Sequence, residues 1–309
     1  FMTGQAMAVD RDPLRRDSYD YPLPRHLIAK TPLPDRASSR MLVLDRQAKT
    51  WADHRFSDLP DLLKPGDLVV LNNTKVLPAR LMGRRQGHTG TVEILLLTPI
   101  NGSPTHWQVL MRPARKLKPG TLIELNQTDA TAEVLKQGER GSGEVRLHLA
   151  NFKTATELMA AMGEMPLPPY MERAATQADS QTYQTVYAKV PGSQAAPTAG
   201  LHFTPSVLDR LKATGIDTAE ITLTVGLGTF RDVETEVITD HPMHEEAYTL
   251  PQSVVDQIKR TKQRGGRVIA VGTTVVRTLE TVAKNIRVIF KPTVIIVICL
   301  SIQAFSGVW

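Results

Sequence analysis

At 309 residues and 41% hydrophobic content the chain can bury a sizeable core, and its length suits about two domains of ~150 residues each, which excludes global disorder. A single cysteine, Cys299, excludes an intramolecular disulfide and any cysteine cluster for structural zinc, and no apolar run near the N-terminus could serve as a signal-peptide core, so a cytoplasmic location is expected. The net charge of +6 is a moderate excess, but its distribution is uneven. Between Lys75 and Gly120 stand eight basic residues, Lys75, Arg80, Arg84, Arg85, Arg112, Arg115, Lys116 and Lys118, against one acid, Glu93. Such a region suits a polyanion, although charge alone describes a solvated face equally well.

In chain order, KPGDLVV reads as a strand whose exit, NNTKVLPARL (Asn72 to Leu81), leads into a region of different character. From about Val76 to Ala150, short β-branched runs (VEILLLTPI, WQVLMRPA, TLIEL, AEVL, EVRLHLA) alternate with Gly-, Pro- and Asn-bearing turns and no long amphipathic helix intervenes, so a small antiparallel barrel is expected. PLPPY (Pro166 to Tyr170) reads as a rigid linker back from it. Thr204 is an N-cap and Pro205 an N1 residue for a helix with an apolar stripe of Val207, Leu208 and Leu211, which Gly215 can close in the left-handed region. Ile221, Leu223 and Val225 alternate with Glu220, Thr222 and Thr224, a strand with one buried face. A helix from about Ser253 to Gly265, a short strand from Arg267 to Val271, a GTT turn and a helix through Glu280 follow. The expected fold class is therefore α/β: a discontinuous layered main domain (1–75 and 151–309) with an inserted β-barrel domain (76–150). The apolar stretch from about Val294 to Leu300 is far short of the ~20 residues that span a bilayer and reads as a buried or aggregation-prone strand, so no membrane partner is expected.

AAPTAGLHF (Ala195 to Phe203) lets backbone approach a ligand closely, because Ala195, Ala196, Ala199 and Gly200 lack bulk and Pro197 stiffens the path. Thr198 and His202 supply its only hydrogen-bonding side chains, and by residue content alone it reads as a tight buried turn rather than a site. VGLGTF (Val225 to Phe230) and VGTT (Val271 to Thr274) place glycine and threonine at the C-terminal ends of two strands, where open α/β sheets bind ligands. Neither is a Walker A loop or a full dinucleotide fingerprint. HPMHEE (His241 to Glu246) tempts a metal reading, but Pro242 opposes a continuous helix and the spacing matches no zinc-protease motif, so no metal is expected and proton transfer suits it better. Arg40, Arg80 and Arg277 are candidates for bidentate binding of carboxylate or phosphate.

Taken together, YPLPRHLIAKTPLPDRASSRMLVLDR, KPGDLVVLNNTKVLPARLMG, MPLPPY, YQTVYA, AAPTAGLHF, VGLGTF, HPMHEE and AVGTTVVRTLE occur in one order from about Tyr19 to Ala283, and in this the chain resembles the S-adenosylmethionine:tRNA ribosyltransferase-isomerases of queuosine biosynthesis. The resemblance implies transfer of the ribosyl part of S-adenosylmethionine to 7-aminomethyl-7-deazaguanine at the tRNA wobble position, with isomerisation to epoxyqueuosine and release of adenine and methionine. It implies S-adenosylmethionine as a consumed co-substrate with no further cofactor and the tRNA anticodon stem-loop as partner; apart from the resemblance, a monomer is expected. The sulfonium acidifies the adjacent C5′ proton, so a base is needed there and an acid at the departing adenine nitrogen; His202, His241, His244 and Glu245 are the candidates, with the choice among them open. Arg40, Arg80, Tyr183, Gln184, Thr198, Gly200, Gly228, Thr229, Phe230, Thr273, Thr274 and Arg277 are then candidate substrate contacts, Arg277 or Arg80 meeting the methionine carboxylate or a tRNA phosphate. Arg84, Arg85, Arg112, Arg115, Lys116 and Lys118 would carry phosphate contacts to the stem-loop.

The chain departs from the family pattern at Thr224, where a His is usual, and after Ala283, where it reads IRVIFKPTVIIVICLSIQAFSGVW. An altered reading frame or gene model would produce such an ending, and Phe1 ahead of Met2 points the same way. The alternative function is therefore a catalytically inactive tRNA-binding remnant.

Overall fold

Turn residues bracket every strand of the central region, and the computed structural model, which describes residues 12–45, 47–230 and 232–286, joins those strands edge to edge. In chain order the elements are β1 (Arg40–Asp45), β2 (Thr50–Arg55), α1 (Leu59–Leu62), β3 (Leu68–Asn72), β4 (Thr74–Val76), β5 (Arg80–Arg85), β6 (Thr91–Pro99), β7 (His106–Arg112), β8 (Leu122–Leu125), β9 (Thr131–Gln137) and β10 (Ser142–His148). There follow α2 (Ala155–Met162), α3 (Asp179–Thr182), β11 (Val190–Ser193), α4 (Pro205–Ala213), β12 (Asp217–Leu223), β13 (Tyr248–Thr249), α5 (Gln252–Gln263), β14 (Val268–Ala270) and α6 (Thr273–Ile286). The tail from Val294 to Leu300 and Cys299 lie outside the described residues.

Strands β5 to β10 close into an antiparallel barrel in the order β10-β7-β6-β5-β8-β9, so the expected α/β class with an inserted antiparallel barrel is the fold observed. Period-two alternation fills its interior with Ile94, Leu96, Val109, Met111, Val134 and Val145, all nearly inaccessible, each burial contributing about 1.5–3 kcal/mol. Leu158 and Met159 of α2 join the same core. Strand β5 escapes the sequence pattern, because Pro78 and the arginines at 80, 84 and 85 mask an alternation in which Leu81 and Gly83 are the buried members. Gly83 has a steric reason: a Cβ there would overlap the Glu124 carbonyl of β8.

The second sheet has the order β13-β12-β3-β14, with β12 and β14 parallel to β3 and β13 antiparallel at the edge. All five residues of β3 are buried, as expected of a central strand covered on both faces. Val69 and Leu71 pack with Val207 and Leu211 of α4 on one face. Leu68 and Val70 meet Val254, Ile258 and Val275 of α5 and α6 on the other. Helix α4 starts as its sequence dictates: the Thr204 hydroxyl accepts the Val207 N–H at 3.2 Å, Pro205 follows, and Gly215 sits at φ 74° just past the end. Asp67, buried before β3, accepts from Arg267 before β14 at 2.5 Å, pinning the starts of two parallel strands together. The opposite, C-terminal strand ends are thereby left for the site.

Candidate active site

The turns that leave β12 and β14 rest on the AAPTAGLHF segment. Ser193 at the end of β11 accepts the Val225 N–H at 2.8 Å and shares a 2.6 Å hydroxyl contact with Thr74, while Gln194 donates its N–H to the Val225 carbonyl at 2.9 Å. The segment is thus stitched to the extension of β12. On its other side Gly272, at φ 83°, approaches so closely that an added Cβ would lie 3.2 Å from the Ala199 Cβ. Gly200 is required from below: a Cβ would overlap the Tyr187 hydroxyl and lie 2.9 Å from the Thr185 methyl. Thr198 of the turn Thr198–His202 is exposed, whereas Ala195, Ala196 and Phe203 are buried.

His202 is buried against the Phe56 ring, 5.6 Å away, beneath the segment. Burial pushes its pKa below the ordinary imidazole value, with a hydrogen bond to the Arg36 backbone opposing the shift, so the ring is neutral at pH 7. Among the described residues its partners are the core and Arg36, not the HPMHEE histidines.

A second group forms where the VGLGTF turn, the HPMHEE loop and α6 meet. His244 lies over Gly228, where any Cβ would overlap its ring. The Gly226 N–H donates to Glu246 Oε1 at 2.9 Å, the other Glu246 oxygen pairs with Arg277, and Arg277 also donates to the His244 carbonyl at 2.5 Å. The Glu246 side chain is 7% exposed, whereas its neighbour Glu245 is exposed. Glu245, Glu246 and Arg277, but not His244 or Gly228, line an open hollow of about 290 Å³ together with Leu223, Tyr248, Thr278 and Thr281. Glu246 is absent from the sequence-based candidates; the signal available was its place in the same motif, which does not distinguish it from Glu245.

Among the remaining sequence candidates, Thr229 and Thr273 are exposed at the two turns, and Thr274 has a buried hydroxyl without a partner among the described residues. The Phe230 side chain lies outside what is described. Tyr183 is buried, and the Gln184 amide imitates a strand, accepting the Val76 N–H at 3.0 Å and donating to the Val76 carbonyl at 2.7 Å. His241 follows a short turn and, with His244, sits in irregular chain; among the described residues no group of three or more His, Cys, Asp or Glu could hold a metal ion. Thr224 donates its N–H to the Ala247 carbonyl at 2.9 Å and its methyl lies near Gly192. Arg40 and Arg80 are not joined to this group. Arg40 is exposed on β1 beside Asp53 at 3.4 Å, and Arg80 pairs with Glu93 at 3.2 Å inside the barrel wall.

The basic candidates gather at one end of the barrel. Arg85 at the end of β5 donates to the Lys116 carbonyl at 3.5 Å, Arg84 pairs with Glu124 at 2.9 Å, and Arg112, Arg115, Lys116 and Lys118 are exposed. Arg140, absent from the sequence candidates, lies in the adjoining turn Glu139–Gly141, tied to the Ala114 carbonyl through Gln137, and pairs with Glu234 at 3.3 Å.

The arrangement defines a class of protein: an α/β layer with glycine–threonine turns at its strand ends, the place where such sheets hold ligands, joined to an antiparallel barrel with a cationic end. Comparison narrows the class. Residues 16–304 match the model of the family described as "Queuosine biosynthesis protein", and the chain belongs to that family. It is 48% identical over 267 residues to an S-adenosylmethionine:tRNA ribosyltransferase-isomerase of Heliobacterium modesticaldum, covering 86% of this chain and 76% of that one. A relative of the same description from Natranaerobius thermophilus is 46% identical over 270 residues, covering 87% and 77%. The crystal structure of an S-adenosylmethionine tRNA ribosyltransferase from Thermotoga maritima is 33% identical, with a TM-score of 0.40 and coverage of 86% and 72%. The family match runs past Ala283, to which the motif resemblance extended.

Proposed function

We propose that the chain transfers and isomerises the ribosyl moiety of S-adenosylmethionine onto 7-aminomethyl-7-deazaguanine at the tRNA wobble position, giving epoxyqueuosine-tRNA and releasing adenine and methionine. The observation that carries this is the 48% identity, over most of the chain, to a ribosyltransferase-isomerase. It favours an active enzyme over an inactive remnant.

The geometry supports a division of labour. The AAPTAGLHF segment and the turns after β12 and β14 form a narrow, small-residue floor on which an adenosyl group can lie. His202, kept neutral by burial, is the candidate base for the C5′ proton that the sulfonium acidifies, and His244, held over Gly228, is the candidate acid at the departing adenine. Arg277 is already engaged by Glu246 and the His244 carbonyl, and Arg80 by Glu93, so neither is free in this arrangement to take the methionine carboxylate. The exposed cations at the barrel end suit sequence-tolerant phosphate contacts to the stem-loop.

The test is incubation with S-adenosylmethionine and tRNA carrying 7-aminomethyl-7-deazaguanine. Adenine released only when that tRNA is present is expected; tRNA binding without adenine would overturn the reading.

A further inference from the structure

Two adjacent glutamates end the HPMHEE motif, and the fold gives them opposite environments: Glu245 is exposed, while the Glu246 side chain is 7% exposed. Burying a carboxylate is costly unless both oxygens are satisfied, and here both are. One oxygen accepts the Gly226 N–H at 2.9 Å and the other pairs with Arg277, whose second terminal nitrogen donates to the His244 carbonyl at 2.5 Å. A single side chain thereby ties together the exit turn of β12, the His244 loop and the first half of α6. Downstream the loop is anchored separately, by the Thr224 N–H on the Ala247 carbonyl and the pairing of Thr222 with Thr249. Upstream, the Glu246–Arg277 linkage and the packing of the His244 ring on Gly228 hold it in place.

We propose that Glu246 is the positioning residue of the site: with Arg277 as its relay, it sets the place of the His244 ring over the VGLGTF turn without itself touching the reacting atoms. This rests on the ribosyltransferase-isomerase reading. The physical reason for a charged pair here is directionality. An apolar side chain could fill the space, but only a carboxylate fixes the Gly226 peptide plane and, through a planar guanidinium, a carbonyl two residues back in its own loop.

The test compares Glu246→Gln, His244→Ala and the double variant by cooperative unfolding, by kcat and KM for tRNA-dependent adenine release, and by the His244 ring resonance, assigned by its loss in His244→Ala. Glutamine keeps an acceptor for Gly226 but turns an amide toward Arg277. The expected result is a fall of roughly 100-fold in kcat with KM changed less than about 3-fold, the size of effect a misplacement of about 1 Å produces. In the His244→Ala background the same substitution should cost less than about 3-fold more. An equal loss in both backgrounds, or an unchanged kcat, would overturn the proposal. The resonance decides independently of turnover: it should move farther in Glu246→Gln than in Glu245→Gln, and equal movement in both, or none, also overturns it. Wild-type protein that releases no adenine would count against the functional reading and leave the resonance test intact. If Glu246→Gln does not fold, Arg277→Lys gives the same comparison, since lysine keeps the charge but not the two-pronged reach.

Discussion

Asp179 opens α3, immediately before Tyr183 and Gln184, and is 3% exposed. Both its oxygens meet Arg173 at 2.7 Å, and one also accepts the Thr176 N–H at 2.7 Å and its hydroxyl at 2.9 Å. The Arg173 guanidinium, with these Thr176 donors, outweighs burial and holds the carboxyl down at about 2 from an ordinary 3.8. A carboxyl whose folded pKa is depressed adds stability that is fully present above its unfolded value and is lost as pH falls through the folded one. At 1.36 kcal/mol per pKa unit that is ~2 kcal/mol, complete above about pH 5 and mostly gone near pH 2. Asp179→Asn also strands a guanidinium that is 20% exposed, so a total cost of about 2–4 kcal/mol is expected near pH 7. Urea unfolding of both proteins, near pH 7 and again near pH 2 to 3, measures the difference. The gap should shrink by about half or more at the acid end; a gap independent of pH, or below about 0.5 kcal/mol at pH 7, would refute the account.

Gly200→Ala drives a methyl into the Tyr187 hydroxyl and should cost about 1–3 kcal/mol in denaturant unfolding, which Tyr187→Phe should partly restore because that hydroxyl has no hydrogen-bond partner among the described residues; no rescue would contradict the steric argument. With His202 held neutral by burial, adenine release should persist as pH falls through the ordinary imidazole range, and His202→Ala should abolish it while unfolding stays cooperative; unchanged turnover would remove His202 from the mechanism. His202 should also make folding less stable as pH falls below about 6.5, since the unfolded ring takes its proton first, a trend that His202→Ala removes. Replacing Arg115, Lys116 and Lys118 together by Ala should flatten the salt dependence of tRNA binding, by roughly 0.7–0.9 in logarithmic slope for each phosphate no longer neutralised, with unfolding unchanged; Arg84→Ala should matter less, because Glu124 already occupies that cation.

Local chemistry was legible wherever neighbours in sequence are neighbours in space. The Thr204–Pro205 start and Gly215 end of α4, the alternation of β12 and the period-two runs of the barrel needed no tertiary information, since each is fixed within a few residues by sterics, hydrogen bonding and pleat. Strand β5 was hidden because arginines at 80, 84 and 85 break up its polarity pattern, and only closure of the barrel shows Leu81 and Gly83 to be its buried members. The motif spelling AAPTAGLHF marked the family, but that His202 packs against the core depended on Phe56, far away in the chain. Two glutamates, side by side and chemically identical, show the limit most clearly. By itself the sequence determined the main helices and strands of the α/β layer, most strands of the barrel, and the family. Only the tertiary structure decided that Glu246, and not Glu245, is buried, because its two partners, Gly226 and Arg277, arrive from a turn 20 residues earlier and a helix 31 residues later.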